Sequence, residues 1–204
     1  MATSPKRTKT CARAQRLIWI DCEMTGLDVD QHTLVEIACI VTEGDQDLTV
    51  LDNGVQTVIM QSQSMLDDMS DWCKVQFKKN GLLDRIQSST TSMSEADSLV
   101  LNYVKRHTNT GVCPLAGNSV GMDRVFINKC MPQLAAHLHY RTVDVSTVKE
   151  LCRRWYPIRF AEMPAKKRNH RALDDIRESI EELRWYRKNI LVEHDAANGD
   201  SINR

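Results

Sequence analysis

The sequence lacks the features of several large protein classes. Nowhere in its 204 residues does an apolar run approach the roughly 18 residues of a membrane-spanning helix. It has no C-x-x-C pair, and its seven cysteines are irregularly spaced, which argues against a zinc site. Because their number is odd and several lie in apolar segments, they indicate reduced thiols in an intracellular protein.

Net charge is also missing. Lysine plus arginine and aspartate plus glutamate each number 27, so the formal net charge is zero. This balance argues against a broad surface that coats nucleic acid, although a nuclease can still grip one short substrate with a few local cations. Apolar content of 42% and charged content of 26% are ordinary for a soluble globular protein, and the length suits a single domain.

The two ends of the chain differ in composition from the segment between them. The first 16 residues carry five cations and no acid, which matches either a disordered basic leader or a short organelle transit peptide. We therefore predict a leader over residues 1–15, a single folded domain over 16–193 and a polar, disordered tail over 194–204. The leader leaves both a cytoplasmic and a mitochondrial location open.

Hydrophobic patterning predicts an α/β domain. Apolar, β-branched segments at the start of the chain predict three strands in an antiparallel meander, and later short strands alternate with helices. A capping-box pattern of Thr147 and Glu150 predicts how the helix over residues 146–156 begins. Residues 157–169 contain two prolines and no periodicity, which predicts a mobile loop. We expect a mixed sheet flanked by helices.

Two acids one residue apart end the first apolar strand. Residues 17–20 are apolar and run directly into Asp21 and Glu23, and Gly26 closes the segment. Alternate side chains of a strand point to the same side, so the two carboxylates lie together. Like charges at the end of a buried strand repel each other and are costly to desolvate unless a cation lies between them. The stretch therefore predicts half of a metal site.

Two further acids lie on apolar helix faces. Asp123 shares a core-facing stripe with Phe126 and Ile127, where a charge must be bound to a metal or paired in a buried salt bridge. On the last helix Asp175 falls at the edge of the apolar stripe, whereas Asp174 points towards water. A favourable interaction with the helix dipole explains Asp174 well and remains an alternative for Asp175.

The remaining chemistry comes from a histidine at the start of the last helix. His170 lies on a loop that can reach a substrate, although a lone histidine is more often a surface residue. Asp21, Glu23, Asp123 and Asp175 offer hard oxygen ligands without a thiolate, which suit Mg²⁺ or Mn²⁺. Two such ions about 3.5–4 Å apart can stabilise the attacking and leaving oxygens of a phosphodiester. His170 can take the proton of the attacking water.

These motifs resemble those of a known enzyme family. The acid pair, Asp123 on a central helix, and His170 followed by Asp175 are similar in order and setting to the three motifs of the DEDDh 3′-to-5′ exonucleases. Longer stretches, at residues 19–27, 114–119, 140–151 and 170–176, resemble the oligoribonuclease branch of that family, and the similarity covers about residues 16–193.

The resemblance implies a fold and an activity. The expected fold is RNase H-like, with a mixed five-stranded sheet flanked by helices. The expected activity is that of a homodimeric exoribonuclease with two metal ions per active site. Such an enzyme degrades short RNAs, especially dinucleotides, to 5′-mononucleotides.

The same resemblance implies a substrate site. Leu27 and Trp72 match family positions that wedge against the bases. In the family, a phosphate cap closes the site behind the second nucleotide. The matching positions here are Ser119, Arg141 and Ser146, with Tyr140 reaching in from the partner subunit. From the residues alone, Trp72 can instead be core, Arg141 a surface ion pair and Ser146 a helix cap. Phe77 departs from the family, where a polar residue, often His, is common, so a polar phosphate or ribose contact there is in doubt.

Two other functions stay open at this point. A related exonuclease acting on longer RNA or DNA ends would share the metal chemistry, and a non-enzymatic nucleic-acid-binding module could keep the fold. The predicted phosphate cap and the balanced charge favour a short-RNA enzyme over the first. The presence of all four acids and the histidine favours an enzyme over the second.

Overall fold

A single mixed sheet organises the molecule. The computed structural model describes residues 13–165 and 171–191. In the described residues, five strands lie in the order β3-β2-β1-β4-β5. They are β1 (Leu17–Met24), β2 (Leu34–Thr42), β3 (Val55–Val58), β4 (Leu115–Gly117) and β5 (Thr142–Asp144). The first three strands pair antiparallel, whereas β4 runs parallel to both β1 and β5. The predicted mixed five-stranded sheet is confirmed.

Helices flank both faces of the sheet. The described segments contain α1 (Gln63–Asp67), α2 (Asp71–Lys79), α3 (Leu82–Ser88), α4 (Met93–His107), α5 (Gly121–Cys130), α6 (Pro132–His137), α7 (Val145–Trp155), α8 (Pro157–Ala161) and α9 (Ala172–Asn189). None of these helices is long and apolar enough to cross a membrane. Most of the predicted leader and tail lies outside the described residues.

Strand β1 alternates between two separate apolar clusters. Ile18 and Ile20 pack with residues of α4 and α5 on one face of the sheet. Trp19 packs with Ala172 and other residues of α9 on the opposite face. Burial on both faces explains why this strand is a nearly continuous apolar run. By the same alternation, the acids that follow in register with Trp19 emerge on the face that α9 covers.

The start of α7 differs from its prediction. Asp144, not a capping box of Thr147 and Glu150, is the N-cap residue, and its side chain accepts the N–H of Ser146. Glu150 forms ion pairs with arginines of its own helix. The capping-box prediction is wrong because Asp144, the last residue of β5, satisfies a free amide of the first turn.

The predicted loop over residues 157–169 is also partly wrong. Helix α8 occupies its first five residues, with Pro157 at the first helical position. Proline is well tolerated there because that position needs no backbone N–H donor and its fixed φ suits the helix. Phe160 packs against the cluster beneath α9 and so anchors α8. Residues 166–169 lie outside the described part of the chain.

Candidate active site

Three of the four predicted acidic ligands lie together at the carboxyl end of β1. Asp21, Glu23 and Asp175 each offer a carboxylate oxygen, and these atoms all lie within 4.8 Å of one another. The pair on β1 faces α9, which supplies Asp175 from its first turn. All three residues are half-buried, so a small cation can reach them from solvent. The neighbouring Asp174 instead pairs with Arg177 at 3.3 Å on the surface of α9.

Asp123 approaches the same strand end from the other face of the sheet. It is buried on α5, whose apolar residues pack in the cluster opposite α9. Its Oδ1 accepts the backbone N–H of Cys22 at 2.9 Å. Among the residues that the structure describes, no lysine or arginine forms an ion pair with Asp123. The geometry therefore gives no support to the buried salt bridge that the sequence left open.

Burial and mutual repulsion raise the pKa of these acids. The pKa of Asp21 lies well above its usual value, first because of burial and then because of the neighbouring negative charges. Burial, together with the charges of Glu36 and Asp175, raises the pKa of Glu23 to about 8. Burial raises the pKa of Asp123 to about 7. Oxygen ligands that repel one another in this way fit a hard divalent cation, whose charge would offset the repulsion.

His170, the proposed base, lies outside the described residues. The next residue, Arg171, is the N-cap residue of α9. Asp175 lies in the first turn of that helix. His170 precedes Asp175 by five residues in the sequence, and its role remains a prediction from sequence.

A serine pair lies beside the acids, at the ends of β4 and β5. The hydroxyl oxygens of Ser119 and Ser146 are 3.1 Å apart. Asp144 holds both residues, because its Oδ1 accepts the N–H of Ser119 at 2.9 Å and that of Ser146 at 2.8 Å. Ser119 has a φ of 53°, a conformation that is uncommon outside glycine. Since Asp144 is the helix cap, the alternative role of Ser146 as the cap is wrong.

Asn118 links this serine pair to α9. The Ser146 hydroxyl donates to Asn118 Oδ1 at 3.1 Å. The Asn118 amide donates to Ser179 Oγ at 2.8 Å and to Glu182 Oε2 at 3.1 Å. Ser179 in turn donates to the main-chain carbonyl of Asp175 at 2.8 Å. Because an ionised carboxylate accepts but cannot donate, Glu182 fixes the orientation of the Asn118 amide.

Arg141 and Tyr140 are exposed and come directly before β5, the strand that leads to Ser146. Tyr140 is 74% exposed, and the guanidinium of Arg141 lies 5.3 Å from the centre of its ring. In the described ranges Arg141 forms no ion pair with an acid, so the surface ion pair considered above is not supported. The guanidinium faces solvent, where it can meet an anion.

Leu27 and Trp72 are apolar side chains on the surface near the end of β1. Their exposed fractions are 70% and 62%, which excludes the core alternative for Trp72. Helix α2 carries Trp72 and is attached to the segment after β1, because the Ser70 N–H donates to the Thr25 carbonyl at 2.9 Å. Both side chains therefore offer apolar surface to a ligand beside the acids.

Phe77, the departure from the family pattern, lies on the opposite side of α2. It is fully buried in an apolar cluster with Val35 and Ile86. The position therefore contributes to the core under α2, and its side chain makes no polar contact with a substrate.

Sequence reasoning missed three polar residues around the site, Asn118, Asp144 and Glu36. Asp144 ends a strand and precedes Ser146 by two residues, which is a recognisable capping signal. Glu36 is the lone charge in an apolar strand, which marks a buried charge in need of a partner. Asn118 has no local signal, because its partners lie on distant elements.

Comparisons with known proteins agree with this geometry. The Exonuclease family (RNase_T) matches residues 18–183. The chain belongs to this family. It is 51% identical over 178 residues to "Oligoribonuclease, mitochondrial" of both Bos taurus and Homo sapiens, and the match covers 87% of this chain and 74% of each relative. The resemblance to the oligoribonuclease branch and the prediction of a nuclease are confirmed.

A solved exonuclease shares the fold. The crystal structure of E. coli Exonuclease I in complex with a dT13 oligonucleotide superposes with a TM-score of 0.66. The match covers 86% of this chain and 41% of that chain at 11% sequence identity, so it shows the fold alone. The predicted RNase H-like architecture is confirmed. In an exonuclease of this family, the acidic cluster of β1 and α9 indicates a site for divalent metal ions.

Proposed function

We propose that this oligoribonuclease-family enzyme is a 3′-to-5′ exoribonuclease that degrades short RNAs, especially dinucleotides, to 5′-mononucleotides. One observation carries the proposal. Three carboxylates lie within 4.8 Å of one another, and the pair Ser119 and Ser146, which Asp144 fixes by hydrogen bonds, lies at the ends of the neighbouring strands. The carboxylates suit a metal-dependent phosphodiester cleavage, and the serines suit a terminal phosphate. The names of the two mammalian relatives support the same substrate class.

Asp21, Glu23 and Asp175 are the proposed metal ligands, with Asp123 completing the site from the opposite face. Their oxygen donors fit Mg²⁺ or Mn²⁺, and we propose two ions per site. When bound, the ions would neutralise the charge that develops on the phosphoryl group. Asp123 is already held by the Cys22 N–H, so its carboxylate is oriented before any ligand binds.

His170 is the proposed general base. Its neutral imidazole takes one proton from a water molecule as the water oxygen attacks phosphorus. The bond between phosphorus and the 3′ oxygen of the preceding nucleotide breaks, and that oxygen takes up a proton. The released nucleotide keeps the phosphate at its 5′ position. His170 directly precedes Arg171, the N-cap residue of α9, and Asp175 lies five residues further along the chain.

The exposed side chains around the acids are the proposed substrate contacts. Leu27 and Trp72 hold the bases, and an indole face stacks on any base without sequence preference. Ser119, Ser146 and Arg141 bind the terminal 5′ phosphate, and the planar guanidinium can form two parallel hydrogen bonds with it. A phosphate bound there would leave no room for further nucleotides, which accounts for the preference for very short RNA.

A homodimer is part of the proposal. Tyr140 is 74% exposed, and α7 and α8 present further exposed apolar side chains, including Trp155 at 65% and Ile158 at 81%. A second copy of the chain would bury this surface and place its Tyr140 against the phosphate site. Light scattering of the wild type and of Tyr140→Ala, with dinucleotide turnover, tests the arrangement. A monomeric wild type with full activity would contradict it.

We propose a mitochondrial or a cytoplasmic location for the enzyme. The two mammalian relatives are named as mitochondrial, and the basic leader of this chain is compatible with either a mitochondrial or a cytoplasmic location. A fluorescent fusion of the whole chain, compared with one that begins at residue 16, tests whether the leader directs import.

Turnover of a 5′-phosphorylated dinucleotide, with and without Mg²⁺ or Mn²⁺, tests the proposed activity. We expect rapid metal-dependent release of mononucleotides and slower degradation of a longer RNA. Equal rates on the two RNAs would instead favour an exonuclease acting on longer ends, a substrate class exemplified by the structural neighbour with dT13. Absence of any metal-dependent cleavage would favour a binding module.

A further inference from the structure

Glu36 is a buried carboxylate that is not among the proposed metal ligands or substrate contacts. It is fully buried in β2 and lies directly opposite Glu23 of β1 in the antiparallel register. Side chains at directly opposed positions project from the same face, with their Cβ atoms about 4.5–5.5 Å apart. Glu36 is therefore the immediate neighbour of a proposed metal ligand.

The two oxygens of Glu36 have different surroundings. Oε1 accepts Arg85 Nη1 at 2.8 Å and Gln56 Nε2 at 2.7 Å. Oε2 is buried and accepts no hydrogen bond from the residues that the structure describes. A buried acceptor without a donor costs about 1–3 kcal/mol, so such an arrangement calls for an explanation. Hydrogen bonds therefore fix the Glu36 carboxylate through Oε1, and Oε2 can still accept a hydrogen bond.

A purely structural ion pair with Arg85 explains only half of this arrangement. A bond that merely attaches α3 to the sheet needs no buried charge, because apolar side chains of similar size are often as stabilising. The charge of Glu36 also acts on the metal ligand: after burial, it is the largest contribution to the raised pKa of Glu23, and Arg85 acts in the opposite direction. The buried carboxylate is thus coupled to the acidic cluster.

We propose that Glu36 is a positioning residue of the metal centre, with Oε2 accepting hydrogen bonds from the hydration shell of the bound divalent cation. The inference rests on the proposed function. Mg²⁺ usually keeps several waters when few carboxylates bind it, and those waters need acceptors. Arg85 and Gln56 hold Oε1, which fixes the direction of the free oxygen. Partners of this kind typically change metal affinity by about 10–100-fold.

Mn²⁺ binding to the full chain, measured by electron paramagnetic resonance, tests the proposal without any need for turnover. We compare wild type, Glu36→Gln and the double variant Glu36→Gln/Arg85→Gln. Glu36→Gln should weaken the Kd for Mn²⁺ by about 10-fold or more. The double variant removes the stranded guanidinium charge and should regain thermal stability, but its Kd should stay weak because the carboxylate is still absent.

Asp174→Asn is the matched control. It removes one negative charge beside Asp175, but from an exposed side chain already paired with Arg177, so the Kd should change by less than about 2-fold. A double variant that binds Mn²⁺ as tightly as wild type would show that Glu36 only serves Arg85, and would overturn the inference. Equal weakening by Asp174→Asn and Glu36→Gln would overturn it too. A wild type that binds no Mn²⁺ would refute the metal centre itself.

Discussion

The acidic cluster and the serine pair lie at adjacent strand ends, yet their polar groups are satisfied in opposite ways. The carboxylates of Asp21, Glu23 and Asp175 crowd within 4.8 Å, and burial with mutual repulsion raises the pKa values of the two on β1. In the serine pair, Asp144 accepts both backbone amides and Asn118 accepts a hydroxyl. The acids of the first region repel one another and fit a divalent cation, whereas the second region is held in place by hydrogen bonds within the protein. Substitutions should therefore abolish function at the acids and weaken it at the serines.

Loss of one acid should have the largest effect. Asp175→Asn removes a proposed ligand of the metal ions, and several kcal/mol of lost transition-state stabilisation corresponds to about 10³-fold in kcat. Dinucleotide turnover with Mg²⁺ measures the change, with Asp174→Asn as the matched control of near wild-type activity. A wild type no faster than Asp175→Asn would remove the acids from the mechanism.

His170→Ala should separate chemistry from metal binding. A general base contributes about 10²–10⁴-fold, so kcat should fall by at least about 10²-fold. The Kd for Mn²⁺ should stay close to that of wild type, because the imidazole is not a proposed ligand. Calorimetric titration of the variant checks this, and a parallel loss of metal affinity would contradict the assignment as base.

Removal of the metal should make the free energy of unfolding depend on pH, because the acidic cluster is then left without a cation. Glu23 and Asp123 have folded-state pKa values of about 8 and about 7, above their ordinary values of 4.5 and 3.8. The folded chain therefore binds more protons than the unfolded chain in this range, so the free energy of unfolding falls as the pH rises through it.

Thermal melts of the metal-free protein measure this effect. Between mildly acidic pH and about pH 8, the Tm should fall by roughly 2–5 °C, the size expected for a loss of 1–2 kcal/mol. Mg²⁺ should restore it, because a ligand that binds only the folded state stabilises that state. Glu23→Gln should flatten the pH dependence. A Tm that is constant with pH in the metal-free wild type would contradict the electrostatic description of the cluster.

A substitution beside the serine pair should have the smallest effect, and it should change substrate binding more than the chemical step. Asn118→Ala removes the acceptor of the Ser146 hydroxyl and one donor to Glu182, a loss of about 1 kcal/mol. We expect the KM for a 5′-phosphorylated dinucleotide to rise about 5-fold, with kcat less affected and with little change for a dinucleotide that lacks the 5′ phosphate. Equal losses on both substrates would indicate a general structural role.

The parts of the fold that depend on local pattern were predictable. The apolar, β-branched run that became β2 (Leu34–Thr42) was recognisable as a strand, because burial on both faces leaves a continuous apolar signal. The acid pair could be placed on one side of β1 because strand geometry fixes the alternation. Helical geometry likewise distinguished Asp175 from Asp174 before any tertiary contact was known.

The parts that depend on distant contacts were not predictable. The helical pattern placed Asp123 on a core-facing stripe, but it could not show that α5 lies across the sheet from α9 and that the carboxylate meets a backbone amide of β1. The link from Asn118 to α9 spans 64 residues at Glu182 and has no local pattern. Short strands such as β4 are defined by their pairing rather than by their own residues.

The attachment of α2 to the end of β1 has a consequence for how far the enzyme advances at each cut. The Ser70 N–H donates to the Thr25 carbonyl at 2.9 Å, and the Cys73 thiol donates to the Met24 carbonyl at 3.4 Å. These two bonds on either side of Trp72 hold its indole at a constant separation from the carboxylates of β1. With a base against that indole, the separation selects a single scissile bond. The step size of the nuclease, one nucleotide per turnover, would then be set by two hydrogen bonds to main-chain carbonyls at the end of β1.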